Sequence, residues 1–216
     1  MKYIYSILIC LLMICACKNE ASEIGSLLNG IEAYIEEHPE EALKVLESVN
    51  REELTTRKLK AKHALLYSIA LDKNYIDVTN DSIIAPAVNY YKYRGTDEER
   101  FKSLYYAGRV YQNAGNIEAA MEKFVEAERY ISNQVDKKIV ARLYKAKMVA
   151  YRDVFDYPSA LEQAQTAARY YLSAKDSIRY LNAVNDIAVL YSQLDDHESE
   201  EQHLEILSAN LHLLNT

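Results

Sequence analysis

The residues of this chain that could do chemistry are few, and their spacing suits little of it. His197, His203 and His212 crowd towards the C-terminal end, but their spacing does not stack them on one helix face and no cysteine lies nearby to join them as metal ligands. All three cysteines, Cys10, Cys15 and Cys17, fall in the first 17 residues, which leaves the rest of the chain without a disulfide framework. Carboxylates pair, as at Asp195-Asp196, yet no residue pattern encloses them. A Gly-x-Ser-x-Gly nucleophile turn, a glycine-rich phosphate loop and a His-Glu-x-x-His helix are all absent from the sequence. Catalytic residues and a metal are therefore not expected. The net charge of −7 removes a general basic field, so nucleic acid is not an expected partner either.

The chemistry that remains is recognition, and recognition needs elements to position it. With only 5 Gly and 3 Pro in 216 residues, a sandwich or barrel built on many turns is excluded and an all-α chain is expected. The aromatic set is 19 Tyr, 3 Phe and no Trp, so large apolar rings carrying a hydroxyl should sit half-buried where helices meet. Apolar stripes at helical spacing then mark successive helices. Ile24, Leu27, Leu28, Ile31 and Ile35 form one within Glu23 to Glu36. Ala42, Leu46 and Val49 form the next, with Pro39 in its first turn. Glu52 to Leu71 reads as a long helix through Leu59, His63, Leu66 and Ala70. After the polar stretch Asp72 to Asn80, Asp81 to Arg94 resumes through Ile84, Val88 and Tyr91, with Pro86 as a distortion.

The best-formed pair follows. Leu104, Ala107, Gly108 and Tyr111 share one helix face, and Ala120, Phe124 and Ala127 share the next. Between them, Gly115 can take the left-handed conformation that ends a helix and Asn116 can cap its successor. Gly108 and Ala120 are small, as a close approach of two helix axes requires. Tyr111, Tyr151 and Tyr191 then recur every 40 residues, with Ala120 and Ala160 on the same step. Ala160, Ala164 and Ala167 form the stripe of a fourth pair; Ala183, Ile187 and Leu190, then Leu204, Leu207 and Leu211, form a fifth.

The Leu104 to Ala127 pattern resembles a tetratricopeptide repeat, although Trp does not stand at Leu104 and no Pro follows the second helix. The 40-residue step is longer than the roughly 34 residues usual in that family, which implies longer helices. The resemblance implies a right-handed α-solenoid of about five antiparallel helix pairs over residues 22–216, whose first helices line an inner groove. Mapped onto this chain, the groove positions are Lys102, Tyr105, Arg109, Gln112 and Asn113, then Arg142, Lys145, Val149 and Arg152. Five of these nine are cationic in an acidic chain, which would favour an acidic segment of a partner protein, with Tyr105 beside Arg109 as an aromatic anchor. The two-carboxylate clamp of some chaperone-binding members does not align here. On the last helix Ile206 and Leu213 stand off the inward stripe, a possible second contact, since a terminal repeat should present a polar outer face.

Residues 1–16 join charged Lys2 to the apolar run Ile4 to Ile14, too short for an ordinary membrane span and expected to act as an export signal. Ile14-Cys15-Ala16-Cys17 resembles a bacterial lipobox, which implies lipid on Cys17 as the new N-terminus and a short tether over 17–21. No other cofactor is expected. Loss of Lys2 with the signal leaves the chain one unit more acidic than −7. Lys18-Asn19-Glu20 resembles the surface-export stretches of Bacteroidetes lipoproteins, so an exported, membrane-anchored protein facing the periplasm or the cell surface is expected, the outer membrane being favoured.

The function expected from these features is a membrane-anchored interaction scaffold. The input module of a signalling or transcription-regulatory system, and a glycan-capturing nutrient lipoprotein, are the alternative readings. Each acyl methylene placed in a bilayer contributes about 0.8 kcal/mol, so several chains on one residue hold a domain to it essentially permanently. Replacing the acylated residue, Cys17→Ala, is therefore expected to move the protein out of the membrane fraction, and a mutant that still sediments with membranes would overturn the anchor.

Overall fold

The computed structural model describes residues 23–210; residues 1–22, with the signal segment, Cys17 and its tether, and residues 211–216, with Leu211 and Leu213, lie outside the described part. Every regular element among the described residues is helical, and these elements divide into two compact units meeting at Gly95 and Thr96.

The first unit holds α1 (23–34), α2 (Pro39–Ser48), a short 3-10 turn (Arg51–Glu53), α3 (Arg57–Lys73) and α4 (Ala85–Arg94). Ile24, Leu28, Ile31 and Ile35 are buried as expected, but Leu27 is 39% exposed and leaves the stripe. Pro39 occupies the first turn of α2, where its missing N–H has no partner to lose. Lys62 on α3 reaches back to α1, pairing with Glu32 at 2.6 Å and with the Asn29 side chain. The long helix expected from Glu52 is instead two elements. Asn50 caps the 3-10 turn, and the Thr56 hydroxyl accepts from the Leu59 N–H at 3.1 Å to start α3 afresh, because Ser/Thr/Asn side chains satisfy the free N–H groups that open a helix. Likewise 81–84 form a turn, so Pro86 sits in the first turn of α4 and distorts nothing.

The second unit holds α5 (Asp97–Asn113), α6 (Ile117–Glu128), α7 (Lys137–Asp153), α8 (Tyr157–Ser173), α9 (Ser177–Gln193) and α10 (His197–Ala209). Thr96 and Glu99 form a reciprocal capping box: the hydroxyl accepts from Glu99 N–H at 3.2 Å, and the carboxylate accepts from Thr96 N–H at 2.8 Å. Each helix packs on its successor, α7 with α8 and α8 with α9 around a common core of Ala160, Ala164, Ala167, Met148, Tyr171 and Ile187. Between α6 and α7 the buried Lys147 ammonium pairs with Glu128 at 2.8 Å and lies 5.4 Å from the centre of the Tyr144 ring.

One turn recurs along this unit. The carbonyls of Tyr111, Tyr151 and Tyr191 accept the N–H of Asn116, Asp156 and Asp196 at 2.9–3.0 Å. The preceding residues, Gly115, Phe155 and Asp195, have φ of 73°, 62° and 58°. Asn116, Asp156 and Asp196 then cap α6, α8 and α10 with their side chains. This is the left-handed helix stop followed at once by the next helix start, and the same turn at Tyr171, Lys175 and Asp176 joins α8 to α9.

The last stripe departs from expectation. Leu204 is 47% exposed; α10 turns Ser199, His203 and Leu207 towards α9, with the His203 ring 5.3 Å from Tyr191. Leu204 stands one 40-residue step after Ala164, which belongs to the core that α8 shares with α9, and no described helix follows α10 to cover it.

At Gly108, α5 and α6 approach closely. A Cβ placed there would stand 2.5 Å from Cδ1 of Phe124, a ring fully buried between α5 and its neighbours. Alanine favours a helix interior over glycine by about 1 kcal/mol, but forcing a methyl into a filled core costs about 1–3 kcal/mol, occasionally more. Gly108→Ala is expected to destabilise the protein by about 1 kcal/mol net, and up to about 2 where the ring is held rigidly, in urea unfolding; an unchanged or raised midpoint would show that the ring can move aside.

Candidate functional site: the face of α5, α7 and α9

The groove positions expected from sequence lie on α5 and α7, and the structure separates them into core and surface. Tyr105 is 4% exposed. Its ring meets Tyr106 edge-on at 4.8 Å and lies near Phe101 and Phe124 at 6.4 and 6.2 Å. It is a core residue, which corrects its assignment as an aromatic anchor. The reason is topological: α5 packs on both α6 and α7, so residues 103–108 are all buried.

The remaining positions are half-exposed or exposed. Arg109 donates from Nη1 to the Gln112 side-chain oxygen at 2.6 Å, and Gln112 donates from Nε2 to the Ala146 carbonyl on α7 at 3.0 Å. One residue before that carbonyl, Lys145 pairs with Asp186 on α9 at 2.8 Å. The three helices are thus joined by a polar seam running from Arg109 through Gln112 and Lys145 to Asp186. Arg142 and Asp186 both act on the buried Tyr171 hydroxyl, whose pKa is raised chiefly by burial, with Arg142 and Arg179 opposing the rise and Asp176 and Asp186 adding to it. Lys102 pairs with Glu98 at 2.5 Å and Arg152 with its neighbour Asp153 at 3.3 Å, each within its own helix. Asn113 is half-exposed at the end of α5.

The seam therefore brings Arg109, Gln112, Arg142 and Lys145 into one neighbourhood, and leaves Lys102 and Arg152 towards the helix ends. The face as a whole is of mixed sign, because Asp186 answers Lys145 in the seam and Glu98 and Asp153 answer Lys102 and Arg152 outside it. Solvent-accessible ion pairs of this kind contribute about 0–1 kcal/mol each. Among the described residues no group of three or more His, Cys, Asp and Glu is placed to hold a metal ion. His203 donates its Nδ1 proton to the Ser199 carbonyl at 2.7 Å, and His197 faces Glu200, which raises its pKa above the ordinary imidazole value. No described helix is long and apolar enough to cross a membrane. Ile206 is 37% exposed, and Leu213 lies outside the described residues.

One exposed feature was missed by the stripe analysis. Val154 and Phe155 form the tip of the turn from α7 to α8; Phe155 is 76% exposed and holds a left-handed φ of 62°. The signal was present in the alignment of turns, where Phe155 stands in the place of Gly115. A bulky residue in that conformation is uncommon, and such strain often marks a functional position.

With this geometry in view, the chain can be set beside known proteins. No protein-family model matches it and no curated protein matches it. Among solved structures, the crystal structure of BtubC (BKLC) from P. vanneervenii is similar, with a TM-score of 0.62 at 14% identity over 94% of this chain and 91% of that one. At that identity the likeness establishes a shared fold alone: an all-helical chain whose consecutive helices pack as in a helical-repeat protein.

Phe155 and Phe124 allow the surface and core roles of two phenylalanines to be separated. Removing a fully buried ring costs about 3–5 kcal/mol. For Phe155→Gly, relief of about 1–2 kcal/mol of left-handed strain offsets the lost contact with Tyr157 and the added chain entropy. Phe124→Ala is expected to lower stability by about 3 kcal/mol or more, and Phe155→Gly to leave it within about 1 kcal/mol. A large loss on Phe155→Gly, read by thermal unfolding, would show that the tip is part of the core.

Proposed function

We propose that this protein is a non-catalytic interaction scaffold of the tetratricopeptide type, held to a membrane by lipid on Cys17, which takes an acidic segment of a partner protein along the face of α5, α7 and α9. The observation that carries the reading is the polar seam Arg109–Gln112–Lys145–Asp186. It spans three helices, stays half-exposed, and presents guanidinium, amide and ammonium donors one after another.

An extended acidic segment crossing this face would meet a donor on α5 and then on α7, replacing Asp186 and Glu98 as carboxylate partners. Arginine suits the role because its planar fork holds a carboxylate by two bonds at once. Complementary charge speeds encounter and fixes register more than it raises affinity, so a reversible adaptor is the consistent outcome. The exposed Val154–Phe155 tip next to Arg152 adds an apolar contact at the edge of the same unit. The lipobox resemblance supports a location on the exported side, the outer membrane being favoured.

Native crosslinking followed by recovery of the protein tests this directly. The partner captured by the wild type is expected to be lost about tenfold or more from the Arg109→Glu/Arg142→Glu variant, and to weaken as salt screens exposed charges. Capture that is unchanged by both the charge reversals and salt would overturn the reading.

A further inference from the structure

The first unit contains a cleft that the polar seam does not involve. It measures about 380 Å³, within the size range of small-molecule sites. One wall is a single stripe of α3, where Lys60, His63, Ala64 and Tyr67 follow one another at helical spacing; Ile83, from the turn before α4, stands on another side, and Arg51 closes one end.

The lining divides into an apolar interior and a cationic rim. Ala64 and His63 are buried, Tyr67 and Ile83 half-buried, and the His63 and Tyr67 rings lie 5.7 Å apart. Arg51 and Lys60 are exposed at the mouth, and neither side chain makes an ion pair or hydrogen bond with another described residue. This contrasts with Lys62 and Lys73 on the same helix, which are paired with Glu32 and Glu36. His63 is held by a 3.0 Å hydrogen bond from Nε2 to the Leu46 carbonyl, which fixes its proton on Nε2 and leaves Nδ1 as the acceptor of a neutral ring. Burial lowers its pKa, more than the Leu46 bond raises it, and Arg51 lowers it further. The imidazole therefore adds no charge to the interior.

We infer that this cleft binds a small organic acid, its apolar body lying between the His63 and Tyr67 rings and Ile83 and its anionic group meeting Arg51 and Lys60 at the mouth. Two unpaired cations beside an apolar interior favour such an amphipathic anion over a neutral body of the same shape, and over a polar anion such as a free sugar acid that would leave the interior wet. The site is independent of the partner-binding face, so either can fail alone.

The full chain can be probed in its own membrane with benzophenone-4-carboxylate, an apolar acid that crosslinks on illumination, and with neutral 4-methylbenzophenone for comparison. Mass spectrometry of the digested protein is expected to find the acid on the segments that carry Tyr67 and Ile83. Labelling there should fall about tenfold in Arg51→Gln/Lys60→Gln, whose two sites are exposed, and should fall in wild type as salt is raised. The neutral probe is expected to label these segments more weakly and equally in both proteins. Equal labelling of wild type and variant, equal labelling by the two probes, or labelling confined to other segments would each overturn the inference. Insensitivity of wild-type labelling to salt would do so without reference to the variant's folding.

Discussion

The contact of Gly108 with the Phe124 ring is the constraint on which the second unit depends. A face without a side chain on α5 lets the ring of α6 lie directly against the helix backbone, and that closeness brings Leu104, Ala107, Ala120 and Ala127 within reach of one another. Small residues repeat the solution further along, where Ala160, Ala164, Ala167 and Ala168 let α8 sit tightly against α7 and α9. Interaxial distance is set by what stands at the contact. Bulky side chains such as Phe124, Met148 and Tyr171 fill the space that the small residues open.

Close packing on two sides also determines which parts of the site can be read from sequence. Stripe analysis assumes that a helix buries one face, and it succeeds for α6, where Ala120, Phe124 and Ala127 are buried and their neighbours are not. On α5 it succeeds for Leu104, Ala107 and Gly108 but misplaces Tyr105, because a second neighbour, α7, removes the flank on which that ring was expected to be free. Leu204 shows the reverse. Its stripe looked inward by analogy with the earlier pairs, yet a residue at that register is covered by the helix that comes next, and no described helix does so. Burial in a repeat array is a property of position in the row as well as of spacing.

The turns were legible in part for a related reason. Gly115 and Asn116 announce a left-handed stop and a cap through residue types that favour them. Phe155 and Asp195 hold the same conformation without glycine, so only the 40-residue alignment exposes them. The tyrosines that mark the step were noticed as rings, whereas their recurring contact is made by the backbone carbonyl. Side-chain identity at Tyr111, Tyr151 and Tyr191 thus reports a packing position, and the hydrogen bond that closes each turn would be available to any residue there.

Charge is placed differently in the two units. At the seam Lys145 is answered by Asp186, and towards the helix ends Lys102 and Arg152 are answered by Glu98 and Asp153, pairs that each contribute little to stability. In the first unit, Lys62 is tied to α1 and Lys73 to the turn that follows it, while Arg51 and Lys60, beside an apolar cleft, have no ion-pair partner among the described residues. On α3, Lys62 and Lys73, which hold the unit together, are therefore distinct from Lys60, which faces the opening. None of that was visible from spacing, since Lys58, Lys60, Lys62 and Lys73 look alike in sequence; only the approach of α1 from one side and of residues 82–86 from another assigns them different work.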